Sequence, residues 1–267
     1  MLVLVINLDR APERLTHMRG EFERIGADFT RLAATDGRLL ETTDSVNALE
    51  GRLLSKGEIA CFMSHRRCWQ QLVESGESHA VVLEDDVFLG QGAEWFLISA
   101  DWFPGSAGLV KLETYMSPTT ITARPVAEFD GRGVHRLSGK HLGTGGYALD
   151  RETARTLLDL SADIDRQVDD FLFDPDGEAF RAARVHQLVP AICIQGLKLK
   201  GQLTLTNDPS TYASGIYEER LTTRTRLSPA GKVKREFVSA LRKARLALIG
   251  GARNVFGAVR WGRIPFR

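Results

Sequence analysis

Three consecutive acidic residues, Glu84, Asp85 and Asp86, stand between two apolar runs and carry the clearest chemical signal in this sequence. The preceding run, Val81–Leu83, has no polar alternation, which indicates a strand buried on both faces of a parallel sheet. Carboxylates inside such a core would cost several kcal/mol each unless paired or bound to a cation. We therefore expect them at the carboxyl end of the strand, the edge where open α/β sheets place their ligands.

Glu84 and Asp86 would project to the same side if the strand stays extended through them. Two hard oxygen ligands side by side suit Mg²⁺ or Mn²⁺, and such an ion commonly also carries substrate phosphates. The alternative is an acidic turn after a strand, with its charges merely solvated.

The elements that must position these carboxylates alternate between strand and helix, as in a doubly wound α/β sheet. Pro12 suits the first turn of a helix that Gly26 ends, and Ser55 with Glu58 forms a capping-box pattern at the start of another. Residues 116–140 are expected to form a long loop or a small hairpin region near the site. The predicted strands cover residues 2–8, 29–33, 81–83, 109–112, 185–189 and 191–194, and the predicted helices cover 12–25, 55–73, 151–160 and 164–174.

Length and composition are those of an ordinary globular protein. The 267 residues fit one large domain, or one domain plus an appendage. The sequence has no apolar run long enough to cross a membrane, and it opens directly in an apolar strand, so neither a transmembrane helix nor a secretory signal is expected. Three scattered cysteines match neither a disulfide framework nor a zinc site, which favours the reducing cytoplasm.

The near-neutral net charge hides an asymmetry along the chain. Residues 220–267 hold 13 Lys or Arg and one acid, a net charge of +12, against −11 for residues 1–219. Apolar residues such as Phe237 and Trp261 alternate with the basic ones at helical spacing. We therefore predict a domain over 1–219 and a basic amphipathic helical tail over 220–267 that binds an anionic membrane surface. A solvated tail and a helix packed on the domain are the alternatives; nucleic-acid binding is disfavoured, because the acidic remainder would repel phosphates.

Six short segments stand in order along roughly residues 1–200. They are Val5-Ile6-Asn7-Leu8-Asp9-Arg10 with Glu13-Arg14 shortly after, Ala34-Thr35-Asp36-Gly37, Gly57-Glu58-Ile59-Ala60-Cys61-Phe62-Met63-Ser64-His65, Leu83-Glu84-Asp85-Asp86-Val87, Gly145-Gly146-Tyr147 and Val168-Asp169-Asp170. Together they resemble glycosyltransferase family 25, the lipooligosaccharide glycosyltransferases related to the collagen galactosyltransferases. The resemblance implies a GT-A-like, Rossmann-like α/β fold with an open mixed sheet flanked by helices. It also implies an inverting hexosyltransferase with a nucleotide-sugar donor, typically UDP-galactose, and a divalent metal, Mn²⁺ or Mg²⁺.

The resemblance implies roles for the acidic run. Glu84 and Asp86 would hold the metal, and Asp85 would contact ribose or sugar hydroxyls. A metal that bridges the oxygens of a leaving diphosphate neutralises them without a proton. Because the run departs from a strict Asp-x-Asp pattern, the division of labour among the three residues stays open.

The first strand and the helix after it would contribute donor contacts. Asn7, Asp9 and Arg10 would read uracil and ribose, and Arg14 would reach the diphosphate through a bidentate fork. Helix capping for Asp9 and surface ion pairing for Arg14 are the alternatives.

Two further segments also match the donor side of the family. Ser64 and His65 would lie by the donor, with His65 positioning it rather than binding the metal. Gly145 and Gly146 are expected to let the backbone approach a sugar closely. His186 lies in an apolar strand and is expected in the core, although enzymes similar to the GT-A family sometimes take a metal ligand from late in the chain.

Asp169 and Asp170 open a predicted helix, whose dipole and free N–H groups keep a carboxylate ionised. An inverting transfer needs one base to take the proton of the acceptor hydroxyl, and inverting GT-A enzymes are similar in placing an acidic base at such a helix start. This favours Asp170 as the base and Asp169 as a ligand of acceptor hydroxyls. A plain N-terminal capping pair is the alternative.

The acceptor implied by the resemblance is a lipid-linked or lipooligosaccharide glycan, and the basic tail would hold the enzyme on the cytoplasmic face of a bacterial inner membrane. A Mg²⁺-dependent phosphohydrolase is a second hypothesis, because the first strand leads to Asp9, but no second acid follows two residues later. An inactive homologue that binds a nucleotide sugar or a membrane partner is a third. Such a homologue would be expected to lack a key carboxylate, whereas Glu84, Asp86 and Asp170 are all present.

Overall fold

The computed structural model describes residues 1–41, 54–199 and 258–267. Strands and helices alternate through most of these ranges. The strands are β1 (Leu2–Asn7), β2 (Thr30–Ala33), β3 (His79–Glu84), β4 (Val87–Leu89), β5 (Leu109–Lys111), β6 (Pro118–Thr122), β7 (Ala127–Phe129), β8 (Arg132–Arg136), β9 (Gly146–Asp150), β10 (Val185–Val189), β11 (Cys193–Gln195) and β12 (Val259–Arg263). The helices are α1 (Pro12–Ile25), α2 (Lys56–Ser75), α3 (Glu94–Ile98), α4 (Arg151–Leu160), α5 (Val168–Phe173), α6 (Glu178–Ala182) and α7 (Gly196–Leu199).

Eight strands form one open sheet in the order β2-β1-β3-β9-β5-β10-β8-β7. β1 pairs in parallel with β2 and β3, and β10 pairs in parallel with β5. β9 lies antiparallel between β3 and β5, and β8 lies antiparallel between β10 and β7. Six of the eight strands therefore run in one direction, which confirms the predicted α/β architecture with an open mixed sheet.

The central strands alternate their side chains between two cores, one on each face of the sheet. On one face, Leu4 and Val82 pack in a cluster that includes Trp69 of α2. On the other face, Val5 and Val81 belong to a second cluster, completed by α1 and α3. An uninterrupted apolar run is what a strand needs when both of its faces are covered by helices, and this part of the prediction is confirmed.

Capping fixes where the helices start and end. Ser55 Oγ accepts the N–H of Glu58 at 3.2 Å, and Glu58 Oε2 accepts the N–H of Ser55 at 2.9 Å, so the predicted capping box opens α2. Gly26 ends α1 in the left-handed conformation, at φ 65°. The predicted helix from residue 164 begins instead at Val168, because Gln167 takes the N-cap position and donates from Nε2 to Glu58 Oε1 at 2.6 Å.

The last ten residues belong to the folded domain. β12 pairs antiparallel with β6 from the small hairpin region, and the Ile264 side chain that follows is buried. The carbonyl of Arg267 accepts a hydrogen bond from Arg132 Nη2 at 2.8 Å. The prediction of a helical tail is therefore wrong for residues 258–267, because pairing with β6 imposes the strand conformation on them, and residues 220–257 lie outside the described ranges.

In the part of the chain that the structure describes, we find no helix with the length and apolar character needed to span a bilayer.

Candidate active site

The carboxyl ends of β1, β2 and β3 meet the amino end of β9 at one edge of the sheet. Ile6 of β1 is in register with Glu84, the last residue of β3. The N–H of Glu84 donates to the carbonyl of Gly145 at 3.0 Å, which joins this edge to the segment before β9. Asp85 and Asp86 form the turn between β3 and β4, so the strand does not stay extended through them.

Glu84 accepts hydrogen bonds from two side chains, and a histidine ring lies close to it. Thr144 Oγ1 donates to its Oε1 at 2.6 Å, and Gln195 Nε2 donates to its Oε2 at 2.8 Å. His65 Nε2 lies 3.4 Å from Oε1. Burial raises the pKa of Glu84, but the nearby His65, the hydrogen bond from Thr144 and the charge of Lys111 together outweigh it and hold the pKa below its ordinary value.

Asp86 is buried and has few partners. Gln195 Nε2 lies 3.5 Å from Asp86 Oδ1, and the backbone carbonyl of Asp86 accepts the N–H of Gly196 at 2.9 Å. Burial, together with the negative charges of Glu84 and Asp85, raises the pKa of Asp86 well above its ordinary value. Ionised Asp86 is thus an unfavourable state that a bound cation would relieve.

Asp85 forms a tightly bonded cluster with Asn7 and Arg14. Its Oδ2 accepts from Asn7 Nδ2 at 2.7 Å, and its Oδ1 accepts from Arg14 Nη1 at 3.1 Å. Asn7 also donates to the carbonyl of Ala11 at 3.0 Å and accepts from Arg31 Nε at 2.9 Å. Both amide protons of Asn7 are therefore used inside the protein, and Asn7 orients Asp85 in this structure.

His65 lies between Glu84 and a buried pair of aromatic residues. Trp69 Nε1 donates to the Tyr147 hydroxyl at 2.9 Å, and that hydroxyl lies 2.9 Å from His65 Nδ1. Because the Trp69 N–H can only donate, the hydroxyl proton of Tyr147 is left for His65 Nδ1. His65 thus joins this aromatic pair to Glu84, whose Oε1 lies 3.4 Å from the other ring nitrogen, Nε2.

Cys61, His65 and Glu84 each offer one ligand atom within 4.8 Å of the others. This set of sulfur, nitrogen and oxygen suits a soft or borderline ion such as Zn²⁺ rather than Mg²⁺.

A second polar cluster, which we term the buried network, consists of Lys111, Glu113, His141 and Gln187. Lys111 Nζ lies 3.1 Å from Glu113 Oε2, and both side chains are fully buried. Glu113 Oε2 also accepts the N–H of Gly145 at 2.9 Å, while its Oε1 has no hydrogen-bond partner among the described residues. Burial raises the pKa of Glu113 although Lys111 opposes it.

The charges at this edge do not balance. Arg14 pairs with Asp85, and Lys111 pairs with Glu113. Glu84 and Asp86, which we call the carboxylate pair, have no Lys or Arg partner at ion-pair distance within the described ranges, and His65 is the one titratable base close to Glu84 there. A divalent cation would balance these two charges, and oxygen ligands are those that Mg²⁺ and Mn²⁺ prefer. The residues present therefore fit the expected metal.

Asp9 and Arg10 lie at the rim of the site, where each has an ionic partner. Asp9, with its side chain 81% exposed, pairs with Arg31. Arg10 Nε contacts Asp36 Oδ2 at 2.9 Å, which joins two of the sequence segments singled out above.

Ser64 and the two glycines have contacts within the protein that the sequence did not indicate. Ser64 Oγ accepts the N–H of Thr35 at 2.9 Å and donates to the carbonyl of Ala60 at 2.8 Å. A Cβ on Gly146 would lie 2.3 Å from Cys193 Sγ, so the close approach there is made by β11 rather than by a sugar. A Cβ on Gly145 would lie 2.9 Å from Glu113 Oε1.

Asp169 and Asp170 lie in the first turn of α5, as predicted. Asp169 Oδ1 accepts the N–H of Asp170 at 2.9 Å, and Asp170 forms an ion pair with Lys140. The Asp170 side chain is 36% exposed, so the carboxylate is accessible. α5 packs on α2 through the rings of Phe171 and Phe62, whose centroids are 5.1 Å apart, one helical turn before His65.

The sequence analysis missed Lys111, Glu113 and Gln195. Two charged residues at alternate positions in the apolar Leu109–Glu113 stretch were an available signal for the first two. Nothing near Gln195 marked it, because its contacts are with residues more than 100 positions away. His186 is buried, with Nδ1 2.6 Å from the carbonyl of Arg184, which confirms its place in the core.

Comparisons with known proteins agree on one enzyme family. The family model for glycosyltransferase family 25 (LPS biosynthesis protein) matches residues 1–172. The lacto-N-neotetraose biosynthesis glycosyltransferase LgtB of Neisseria meningitidis serogroup B is 33% identical over 261 residues, covering 90% of this chain and 91% of that protein. The lipooligosaccharide biosynthesis protein lic2B of Haemophilus influenzae is 27% identical over 257 residues, covering 90% of this chain and 94% of that protein.

Among solved structures, a glycosyltransferase involved in the glycosylation of the major capsid of PBCV-1 aligns over 81% of this chain and 98% of that chain, with 10% identity and a TM-score of 0.44.

Proposed function

Because the chain belongs to glycosyltransferase family 25 and is a glycosyltransferase, we propose that it transfers a hexose from UDP-galactose to a lipooligosaccharide or lipid-linked glycan, with inversion at the anomeric carbon. The observation that carries this proposal is the carboxylate pair, which has no Lys or Arg partner among the described residues and lies at the ligand-binding edge of the sheet. The names of the relatives, which refer to lacto-N-neotetraose and lipooligosaccharide biosynthesis, support the choice of acceptor.

Glu84 and Asp86 would hold the divalent ion, Mn²⁺ or Mg²⁺. When bound, such an ion neutralises the charge that develops on the diphosphate leaving group. The protein contributes a Glu84 carboxylate whose orientation is already set, since Thr144 and Gln195 hold it before any ligand arrives. This preorganisation removes part of the cost of ordering the site on binding.

Donor recognition would centre on Asp85 and Arg14. Asn7 holds Asp85 in place, and Asp85 in turn orients the Arg14 guanidinium, whose side chain is 16% exposed. An oriented guanidinium is suited to phosphate oxygens, and a held carboxylate is suited to ribose or sugar hydroxyls. Asp9 and Arg10 at the rim would extend this donor-binding surface toward the uracil of the donor. Ser64, Gly145 and Gly146 would support the surface from within the protein.

Asp170 would act as the general base. In the transfer step, the acceptor oxygen forms a bond to the anomeric carbon as the bond from that carbon to the diphosphate breaks. The proton of the acceptor hydroxyl passes to Asp170, and UDP leaves. Asp169, the preceding residue, would bind other acceptor hydroxyls.

Replacing Asp170 tests this assignment. In the Asp170→Asn protein, kcat should fall about 10³-fold, within the usual range for loss of a general base, while the affinity for UDP-galactose stays unchanged. Lys140 keeps its second partner, Asp174, at 2.9 Å, which protects the local structure. Asp169→Asn is the matched control and should chiefly raise the KM for the acceptor. An Asp170→Asn protein with full activity would exclude this residue as the base.

The basic stretch before β12 would bind the anionic surface of a bacterial inner membrane. Residues 220–257 hold ten Lys or Arg and one acid. Near an anionic surface each of these charges contributes about 1 kcal/mol. Replacing Arg242, Lys243 and Arg245 together by Gln should therefore weaken binding to vesicles that contain phosphatidylglycerol about 100-fold.

The control for vesicle binding removes three exposed arginines of the domain, by Arg124→Gln, Arg136→Gln and Arg155→Gln. Cosedimentation of both proteins with anionic and with zwitterionic vesicles gives the comparison. Equal loss of binding in the two triple variants would remove the basic stretch from the proposal.

Donor binding is the first test of the whole proposal. Calorimetric titrations with UDP-galactose, UDP-glucose and their N-acetyl relatives, with and without Mn²⁺, should give metal-dependent binding of UDP-galactose. The anomeric configuration of the product, read by proton NMR, then tests inversion. If folded protein bound none of the four donors, the proposed donor class would be wrong.

A further inference from the structure

Gln195 reaches the carboxylate pair from late in the chain and is held there by its backbone. It is the last residue of β11 and is in register with Val87 of β4, directly after the acidic turn. The next residue, Gly196, donates its N–H to the carbonyl of Asp86 at 2.9 Å. The backbone around Gln195 is thus tied to the backbone around Asp86, and the two side chains have little freedom to separate.

The amide of Gln195 stands between the two carboxylates. Its Nε2 is 2.8 Å from Glu84 Oε2 and 3.5 Å from Asp86 Oδ1. Within the described residues, no other side chain is seen to bridge these two oxygens. The terminal amide of Gln195 therefore lies within reach of both carboxylates at once.

We propose that Gln195 is a direct ligand of the divalent ion, through its amide oxygen. This inference rests on the proposed function, in which Glu84 and Asp86 hold that ion. Without the ion, the amide nitrogen faces the carboxylates; with it, a half-turn of the terminal amide brings the oxygen to the same position. The final torsion of Gln is broad and nearly two-fold, so this change needs no movement of the backbone.

The two oxygens of Glu84 face different sets of potential ligands. Oε2 accepts a hydrogen bond from the Gln195 amide, which also lies 3.5 Å from Asp86 Oδ1, so this side offers hard oxygen ligands. Oε1 lies 3.4 Å from His65 Nε2, and Glu84 groups with Cys61 and His65 in a set that adds sulfur and nitrogen. Mn²⁺ and Mg²⁺ favour oxygen ligands. This preference favours the Gln195 side of Glu84 for the ion.

Mn²⁺ binding to the full-length protein, followed by the electron paramagnetic resonance of the free ion, tests this ligand without relying on activity. Gln195→Leu keeps the approximate size of the side chain and removes its oxygen. It should weaken Mn²⁺ binding at least about tenfold, as loss of a ligand or its close support does at metal sites. The control is Gln70→Leu on the exposed face of α2, where the affinity should not change.

Gln195→His adds a spectroscopic readout that a supporting role would not produce. A ring nitrogen bound directly to Mn²⁺ gives a nitrogen coupling in pulsed paramagnetic resonance, and we expect this coupling in the Gln195→His protein but not in wild type. This second variant keeps the test decisive if the Leu protein is poorly folded, which thermal unfolding without metal reveals.

The outcomes separate the inference from the proposal on which it rests. If wild type binds no Mn²⁺ under any donor condition, the proposed metal is wrong and the inference falls with it. If wild type binds Mn²⁺ but Gln195→Leu binds it equally well, and Gln195→His shows no nitrogen coupling, Gln195 is not a ligand while the metal stands. A nitrogen coupling already present in wild type would put the ion on the His65 side instead.

Discussion

The carboxylate pair and the buried network are neighbours at the same edge of the sheet, yet their charges are matched differently. In the network, Lys111 neutralises Glu113 at 3.1 Å, and Gln187 donates to the carbonyls of Lys111 and Glu113 at 3.2 Å each. In the pair, neither Glu84 nor Asp86 has a Lys or Arg at ion-pair distance within the described residues. The network therefore contains the counter-charge of its carboxylate, and the pair does not.

This difference indicates which polar residues build the scaffold and which await a ligand. Burial alone does not separate them, because Asp86 and Glu113 are both buried and the pKa of each is raised by burial. The presence of a matched counter-charge does separate them. A buried charge that its own protein leaves unmatched is expensive unless something else supplies the partner.

Removing one charge of the pair should give the largest effect on activity and none on the fold. In the Asp86→Asn protein, kcat/KM should fall about 10⁴-fold, the several kcal/mol expected when a metal no longer stabilises the leaving group. Stability without metal should stay the same or rise, because the change removes repulsion from Glu84 and Asp85. Steady-state kinetics and thermal unfolding measure the two quantities.

The control for that experiment is Asp176→Asn, which removes an exposed acid far along the chain. It should change neither kinetics nor stability. If the Asp86→Asn protein kept metal-dependent donor binding, Asp86 would not belong to the metal site. A missing counter-charge would then not distinguish a ligand-binding region from the scaffold.

Removing the cation of the buried network should have the opposite profile, with the main effect on stability. Lys111→Met leaves Glu113 buried without its partner, and we expect a loss of about 3–5 kcal/mol in the free energy of unfolding. Urea unfolding at neutral pH measures it. Lys111→Met combined with Glu113→Gln should recover much of the loss, because no buried charge is then unpaired. If the double variant were as unstable as Lys111→Met alone, charge matching would not be what stabilises the network.

The C-terminal strand supports the same region from outside. Thr114, next to Glu113, donates from Oγ1 to the carbonyl of Ile264 at 2.7 Å, and the Ile264 side chain is 2% exposed. Ile264→Ala should therefore lower the free energy of unfolding by about 3 kcal/mol, as for other buried aliphatic side chains. Trp261→Ala, in the same segment at 51% exposure, is the control and should cost much less. If both substitutions lowered the free energy of unfolding by the same small amount, residues 258–267 would not contribute to the stability of the domain.

Local signals in the sequence were sufficient for the elements and for part of the site. The apolar run Val81–Leu83 and the capping pattern at Ser55 depend on neighbouring residues, and both are confirmed. The acidic run was placed at the correct edge for the same reason. The helix periodicity in residues 258–267 was equally local, but pairing with β6 overrides it.

Contacts that depend on strand order and register were not accessible from the sequence. Gly146 needs to be small because Cys193 passes against it, and that contact exists only because β11 returns beside the edge. Gln195 is similar, since 109 positions separate it from Asp86. The role of the Lys111 charge can be inferred only when Glu113 and the two carboxylates of the pair are known to lie at the same edge of the sheet.

The smallest predicted effect concerns His141, the titratable end of the buried network. Its Nδ1 lies 2.9 Å from Gln187 Oε1, and its Nε2 accepts the N–H of Tyr115 at 3.3 Å, so the ring is satisfied when neutral. Burial and the charge on Lys111 lower the pKa of His141 to about 3, although Gln187 opposes them. In the unfolded chain the pKa of His is about 6.5.

As the pH falls below about 6.5, His141 is protonated in the unfolded state but stays neutral in the folded state until about pH 3. The free energy of unfolding therefore decreases across this pH range. Between pH 7 and pH 5 this one residue should cost about 2 kcal/mol. His141→Gln should flatten the dependence by that amount, measured as urea unfolding at both pH values. The carboxylates with raised pKa values act with the opposite sign, but they are present in both proteins and cancel in the difference. Equal slopes in the two proteins would mean that His141 is protonated in the fold, and the network would then carry an unmatched charge of its own.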